Sequence, residues 1–163
     1  METQQTLSDY ERERGKPMPS KLHSIAQTNL IGRLLTYRPK LQVLSELTLH
    51  LGDRDLTPDL SVYRDLEVDF TQDETRMTEP PLLAIEISSP TQGIQDLVDK
   101  ARFLMEHGVE SCWIVQPPLR TITVFTPDMD STTYSSGVVP DPTTEIEVDL
   151  RRQVRDDARR IGR

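Results

Sequence analysis

Cysteine is almost absent from this 163-residue chain. The single Cys112 excludes an intramolecular disulfide and makes a reducing, cytoplasmic compartment the expected one. Set in the apolar run SCWIVQ, it reads as a small buried hydrophobe. Long apolar runs are also missing. Nothing approaches the roughly 18 apolar residues that span a bilayer, so no membrane association is expected. The opening segment METQQTLSDYERERGK lacks the apolar stretch of a signal peptide. Positive charge is scarce, with 19 Lys and Arg against 27 Asp and Glu and a net charge of -8. That balance argues against a protein that coats nucleic acid through many phosphate contacts. Repeats and low-complexity segments are absent as well, which leaves a single globular domain large enough for one core.

The acidic charge is concentrated. Residues 51–100 carry 12 acidic and 4 basic side chains, whereas RRQVRDDARRIGR at 151–163 carries 6 arginines and 2 aspartates. An acidic centre is either a solvated surface or includes a site that a divalent cation neutralises, and composition does not choose between these. Three regions follow: an N-terminal arm (1–19), a folded domain (20–150) and a basic C-terminal tail (151–163).

Within the arm, residues 1–19 read as a short polar helix or extended segment ending at Pro17 and Pro19. Ser20 is a plausible N-cap for a helix over KLHSIAQTNLIGRLLTY, with Leu22, Ile25, Ala26, Leu30 and Leu34 as its core face. LQVLSELTLH (41–50) alternates as one strand, with Glu46 and His50 on the face opposite Leu41, Val43, Leu47 and Leu49. LGDRDL reads as a turn, DLSVYR (59–64) as a second strand, and residues 65–79 as an acidic surface loop. LLAIEISS (82–89) is apolar on both faces apart from Glu86 and its serines, as in a central strand. A helix over residues 94–107 buries Ile94, Leu97, Val98, Ala101, Leu104 and Met105, and Gly108 ends it. SCWIVQ and TITVFT then form an antiparallel hairpin. The resulting order of helix, three strands, helix and two strands implies an α/β (α+β mixed) fold, a mixed sheet flanked by helices, with the 94–107 helix as a crossover.

Glu86 draws attention because it sits between Ile85 and Ile87. A buried carboxylate needs a partner or takes up a proton, and the partner is a lysine, an arginine or a metal. Asp59 stands at the mouth of another strand, directly after Pro58. The two carboxylates with a backbone carbonyl such as that of Ile87 would form an all-oxygen site for Mg2+ or Mn2+. Lys100 lies on the following helix, where it either pairs with Asp96 on the surface or points back towards the sheet. Read alone, Asp59 is an ordinary turn or strand-entry residue, His23 a capping or partly buried histidine, and Glu46 and His50 solvent-facing side chains.

The wording of PMPSKLHSIAQTNLIGRLL, LSELTL, TPDLSVY and LLAIEISSPTQGIQDLVDKARFLMEHGVESCWIVQPPLRTITVF, in that order over about residues 17–126, closely resembles the Uma-type "putative restriction endonuclease" family. The resemblance implies a restriction-endonuclease-like PD-(D/E)XK fold, with about five or more strands in a mixed sheet flanked by helices. It also implies that Asp59 and Glu86 bind Mg2+ or Mn2+, with DNA as the substrate. Ser88 takes the place where the superfamily motif has its lysine, and Lys100 then resembles the lysine of branches in which it has moved to the next helix. Glu46 and His23 match supporting positions, while Gln116 departs from the aspartate common in relatives. Three readings follow. The chain is a metal-dependent endonuclease, a catalytically degenerate nucleic-acid-binding or regulatory protein of the same fold, or an interaction protein whose buried carboxylates pair with basic side chains. A homodimer is expected from the two strands of a duplex and the frequency of two-fold symmetry.

Overall fold

The computed structural model describes residues 9–151. Helix α1 (Asp9–Arg14) leads through an irregular arm, residues 15–19, to α2 (Lys21–Leu34). Ser20 caps α2 as expected, its Oγ accepting the His23 N–H at 3.2 Å. The strands that follow are β1 (Leu41–Ser45), β2 (Thr48–Leu51), β3 (Arg54–Leu56), β4 (Leu60–Arg64), β5 (Arg76–Met77) and β6 (Leu83–Ile87). Helix α3 (Ile94–Glu106) precedes β7 (Ser111–Gln116), β8 (Thr121–Phe125), β9 (Ser131–Tyr134), β10 (Val138–Pro140) and β11 (Glu147–Asp149).

Six strands form a mixed sheet in the order β1-β4-β6-β7-β8-β9. Only β6 and β7 pair in parallel within it, joined by the α3 crossover, and all other neighbours are antiparallel. The alternation of β6 sorts its residues between two cores. Leu83, Ile85 and Ile87 pack with Leu30 and Leu34 of α2, and with Val139, Ile146 and Val148 from the β10–β11 hairpin. Ala84 packs on the other face with Leu97, Ala101 and Leu104 of α3, and with Leu49 and Leu56 of a small β3-β2-β5 sheet. Both faces of β6 are therefore covered, which explains its nearly unbroken apolar run.

Several expectations are corrected. Residues 41–50 are not one strand. Glu46 adopts φ +55°, a left-handed kink that sends β1 into the main sheet and β2 into the small one. The turn read over LGDRDL includes β3, and the loop over 65–79 contributes the two-residue β5. The core face of α2 is also rotated from the one expected. Leu22 and Ile25 are 48% and 44% exposed, while His23 takes the buried position above Leu30 and Leu34. Ile94, at the first turn of α3, is exposed as well. Strands β9 to β11 have no counterpart among the expected elements: STTY is polar, and VVP and EVD are too short to show a period. Among the described residues, no helix is long and apolar enough to cross a membrane. The basic tail lies outside the described residues beyond Arg151.

Candidate active site

The register of β4 against β6 matches Leu60 with Ile85, so Asp59, one residue before β4, stands next in line towards Glu86. Both are 1% exposed. Asp59 is held from three directions. Oδ2 accepts the Ile87 N–H at 2.7 Å, and Oδ1 lies 3.1 Å from His23 Nε2. A carboxylate only accepts, so the His23 ring proton sits on Nε2, and its buried Nδ1 is left without a hydrogen bond. The third partner comes from the arm: Lys16 Nζ donates to Oδ1 at 2.6 Å. The Asp59 backbone carbonyl accepts the Glu46 N–H at 3.0 Å, so the kink that divides β1 from β2 is tied to the aspartate.

Glu86 projects towards α3, where Lys100 Nζ lies 2.7 Å from its Oε1. The contact is a close, charge-assisted ion pair, with Lys100 13% exposed and Glu86 1%. Lys100 also reaches the Thr57 carbonyl at 3.5 Å, just upstream of Asp59. Two carboxylates thus face two ammonium groups. Burial alone would raise Asp59, but the His23 hydrogen bond and the Lys16 charge hold it down at about 2, below the ordinary 3.8. For Glu86, burial wins over the attraction of Lys100, and the neighbouring Asp59 charge adds to it, so its pKa is raised.

Asp59, Glu86, His23 and Lys100, singled out in the sequence, therefore come together. Glu46 lines the same small cavity beside Asp59 and His23. Ser88 follows β6, half-buried, with its N–H bonded to the Val115 carbonyl. The neighbouring Ser89, not Ser88, lines the cavity, and the Ile87 group seen to engage Asp59 is its N–H. Sequence reasoning missed Lys16. Between a polar helix and two prolines, a lone lysine carries no periodic signal that separates it from a solvated one.

Residues 3–155 match the family Uma2, described as "Putative restriction endonuclease". The chain belongs to the Uma2 family. A solved structure described as a putative nuclease belonging to DUF820, from Anabaena variabilis, shares 22% identity with it at a TM-score of 0.74, over 85% of this chain and 83% of that one. At that identity the likeness concerns the fold, which is the expected restriction-endonuclease-like one. None of the curated proteins matches this Uma2 chain.

A restriction-endonuclease-like fold implies a divalent metal. Among the described residues, no three His, Cys, Asp or Glu side chains are gathered as a ready-made set of ligands. The two carboxylates nevertheless fit a hard cation. Mg2+ keeps several waters and is often bound through one or two carboxylates, and Asp59 and Glu86 are adjacent buried carboxylates that already hold cationic partners. What stands against the oxygens is ammonium, from Lys16 and Lys100.

Proposed function

We propose that this Uma2 protein is a Mg2+- or Mn2+-dependent DNA endonuclease that hydrolyses phosphodiester bonds. The observation that carries the reading is the adjacent burial of Asp59 and Glu86, which are next to each other across β4 and β6. Asp59, Glu86 and the Ile87 carbonyl would hold the cation. Once bound, it would polarise the phosphodiester and make a bound water more acidic. Lys100 offsets part of the burial cost on Glu86 and sits where it can offset phosphate charge or orient the attacking water. His23 fixes the rotamer of Asp59 through Oδ1, and Glu46 holds the turn beneath it. A cleft of about 820 Å3, lined by Lys16, Arg54, Arg76 and Lys100 together with Asp55, Asp96 and Asp99, opens beside the two lysines that hold the carboxylates and is where a nucleic-acid strand would lie. We place the protein in the cytoplasm as a homodimer, one active site for each strand of the duplex, an assembly that light scattering in solution checks.

The test is nicking of supercoiled plasmid by the purified full chain with Mn2+. Asp59→Ala and Glu86→Ala are expected to abolish it, and wild-type and variant activities that cannot be told apart would assign the nicking to a contaminant. A second reading, a degenerate nuclease fold that binds nucleic acid without cutting, is favoured by Ser88 in the motif's lysine position and by the net charge of -8. It forecasts DNA binding that weakens steeply with salt and no cleavage with either metal.

A further inference from the structure

Ammonium groups already stand on both carboxylates: Lys16 Nζ lies 2.6 Å from Asp59 Oδ1 and Lys100 Nζ 2.7 Å from Glu86 Oε1. The two acids are 1% exposed, and the Lys16 and Lys100 side chains are 10% and 13% exposed. A divalent cation at these oxygens would stand directly beside two ammonium groups, and like charges packed that closely repel. One ammonium must therefore leave when the metal enters. The two lysines differ in how they are held. Lys100 is anchored on α3, whose Leu97, Ala101 and Leu104 are fully buried in the core. Lys16 sits on the irregular arm between α1 and α2, after Gly15, whose φ is +63° and beside which a side chain would meet nothing within 4 Å. Its side chain, 10% exposed, lies on the boundary between two spaces. One is the cavity of about 10 Å3 at Asp59, with room for about one water, and the other is the cleft of about 820 Å3 that also contains Lys100. A released Lys16 ammonium thus has an adjoining place to go, in the space where a phosphate would arrive.

We propose that Lys16 is an internal counter-cation that closes the site: its ammonium occupies Asp59 in the metal-free protein and exchanges with the divalent cation, moving into the cleft. This rests on the reading of Asp59 and Glu86 as metal ligands. The lysine-bound state lowers the apparent metal affinity by the fraction of molecules that are open. If about one molecule in ten or fewer is open, removing the ammonium tightens binding about tenfold or more.

The experiment is Mn2+ titration of the full chain without DNA, read by the electron paramagnetic resonance of free Mn2+ and referenced to each protein's Asp59→Ala counterpart. Lys16→Met is expected to bind Mn2+ about tenfold or more tighter than wild type, whereas Lys16→Arg stays close to wild type. In the wild type, Mn2+ is expected to speed amide hydrogen exchange at residues 15–19, a readout independent of any substitution. Equal or weaker binding by Lys16→Met, with wild-type binding that depends on Asp59, overturns the exchange and leaves the metal centre standing. Absence of Asp59-dependent binding in every protein, Lys16→Met included, overturns the metal centre and the exchange together.

Discussion

Two carboxylates of equal burial are pushed in opposite directions by their neighbours, and pH separates them. Asp59 has an ordinary value of 3.8 and is held at about 2 in the folded chain. A depressed acid stabilises the fold above its unfolded pKa, and that contribution disappears as pH falls through the folded one. The contribution is worth about 2 kcal/mol, present at neutral pH and lost between about pH 4 and pH 2. Metal-free Asp59→Asn is therefore expected to lose about that much at pH 7, and its deficit should vanish towards pH 2 in urea unfolding. Glu86 is raised, so its ionised form works against folding above its ordinary 4.5. Glu86→Gln is expected to be no less stable than wild type at pH 7, and a clear loss there would contradict this electrostatic account. Glu86 was legible in the sequence because an acid among isoleucines is costly anywhere in a core. Asp59 became legible only through the TPDLS wording, and Lys16 not at all, since a flexible cation on a polar arm satisfies every local rule for a solvated residue.

At the level of elements, α2 and α3 each involve a glycine whose surroundings set the sign of a substitution. Gly108, after α3, has φ +99°, and a Cβ there would meet Pro80 Cγ at 2.9 Å. Gly108→Ala is expected to cost about 1–3 kcal/mol in urea unfolding, through backbone strain and the proline contact. Gly32, within α2, has open space where a Cβ would project, so Gly32→Ala is expected to add about 0.5–1 kcal/mol. A loss at Gly32 or a gain at Gly108 would show that neighbour contacts do not govern these positions. Element boundaries are legible where a cap or a full apolar period marks them, as at Ser20 and along α3. The pattern misleads where the site intrudes on an element. His23 displaces Leu22 and Ile25 from the buried stripe of α2, because the carboxylate beneath it requires a ring nitrogen. Glu46 breaks an alternating strand, because its backbone must turn to bond Asp59. Both departures from pattern fall on the site itself.

Across the whole molecule, the β10–β11 hairpin is fastened to the sheet by a buried acid that sequence reasoning passed over. Asp141 accepts from the Ser111 hydroxyl at 2.6 Å, from Trp113 Nε1 at 3.2 Å and from the Thr144 hydroxyl at 2.6 Å. Asp141→Ala would leave Trp113 Nε1 buried without that acceptor and Ser111 with only the Thr143 hydroxyl at 3.3 Å, and a loss of about 1–3 kcal/mol is expected, followed by the emission of the single tryptophan. A variant as stable as wild type, with unchanged emission, would show that the hairpin is held by apolar contact alone. The family resemblance made the central sheet and its helices legible, but β10 and β11 carry too few residues to announce themselves. Their place in the fold also orders events during synthesis. Every residue argued to act at the site, from Lys16 to Lys100, has been made before the chain reaches Val139, Ile146, Val148 and Leu150, which complete the core behind the sheet. A ribosome-bound chain therefore has all the acids and lysines of the centre while still lacking the apolar wall that the β10–β11 hairpin lays behind β6.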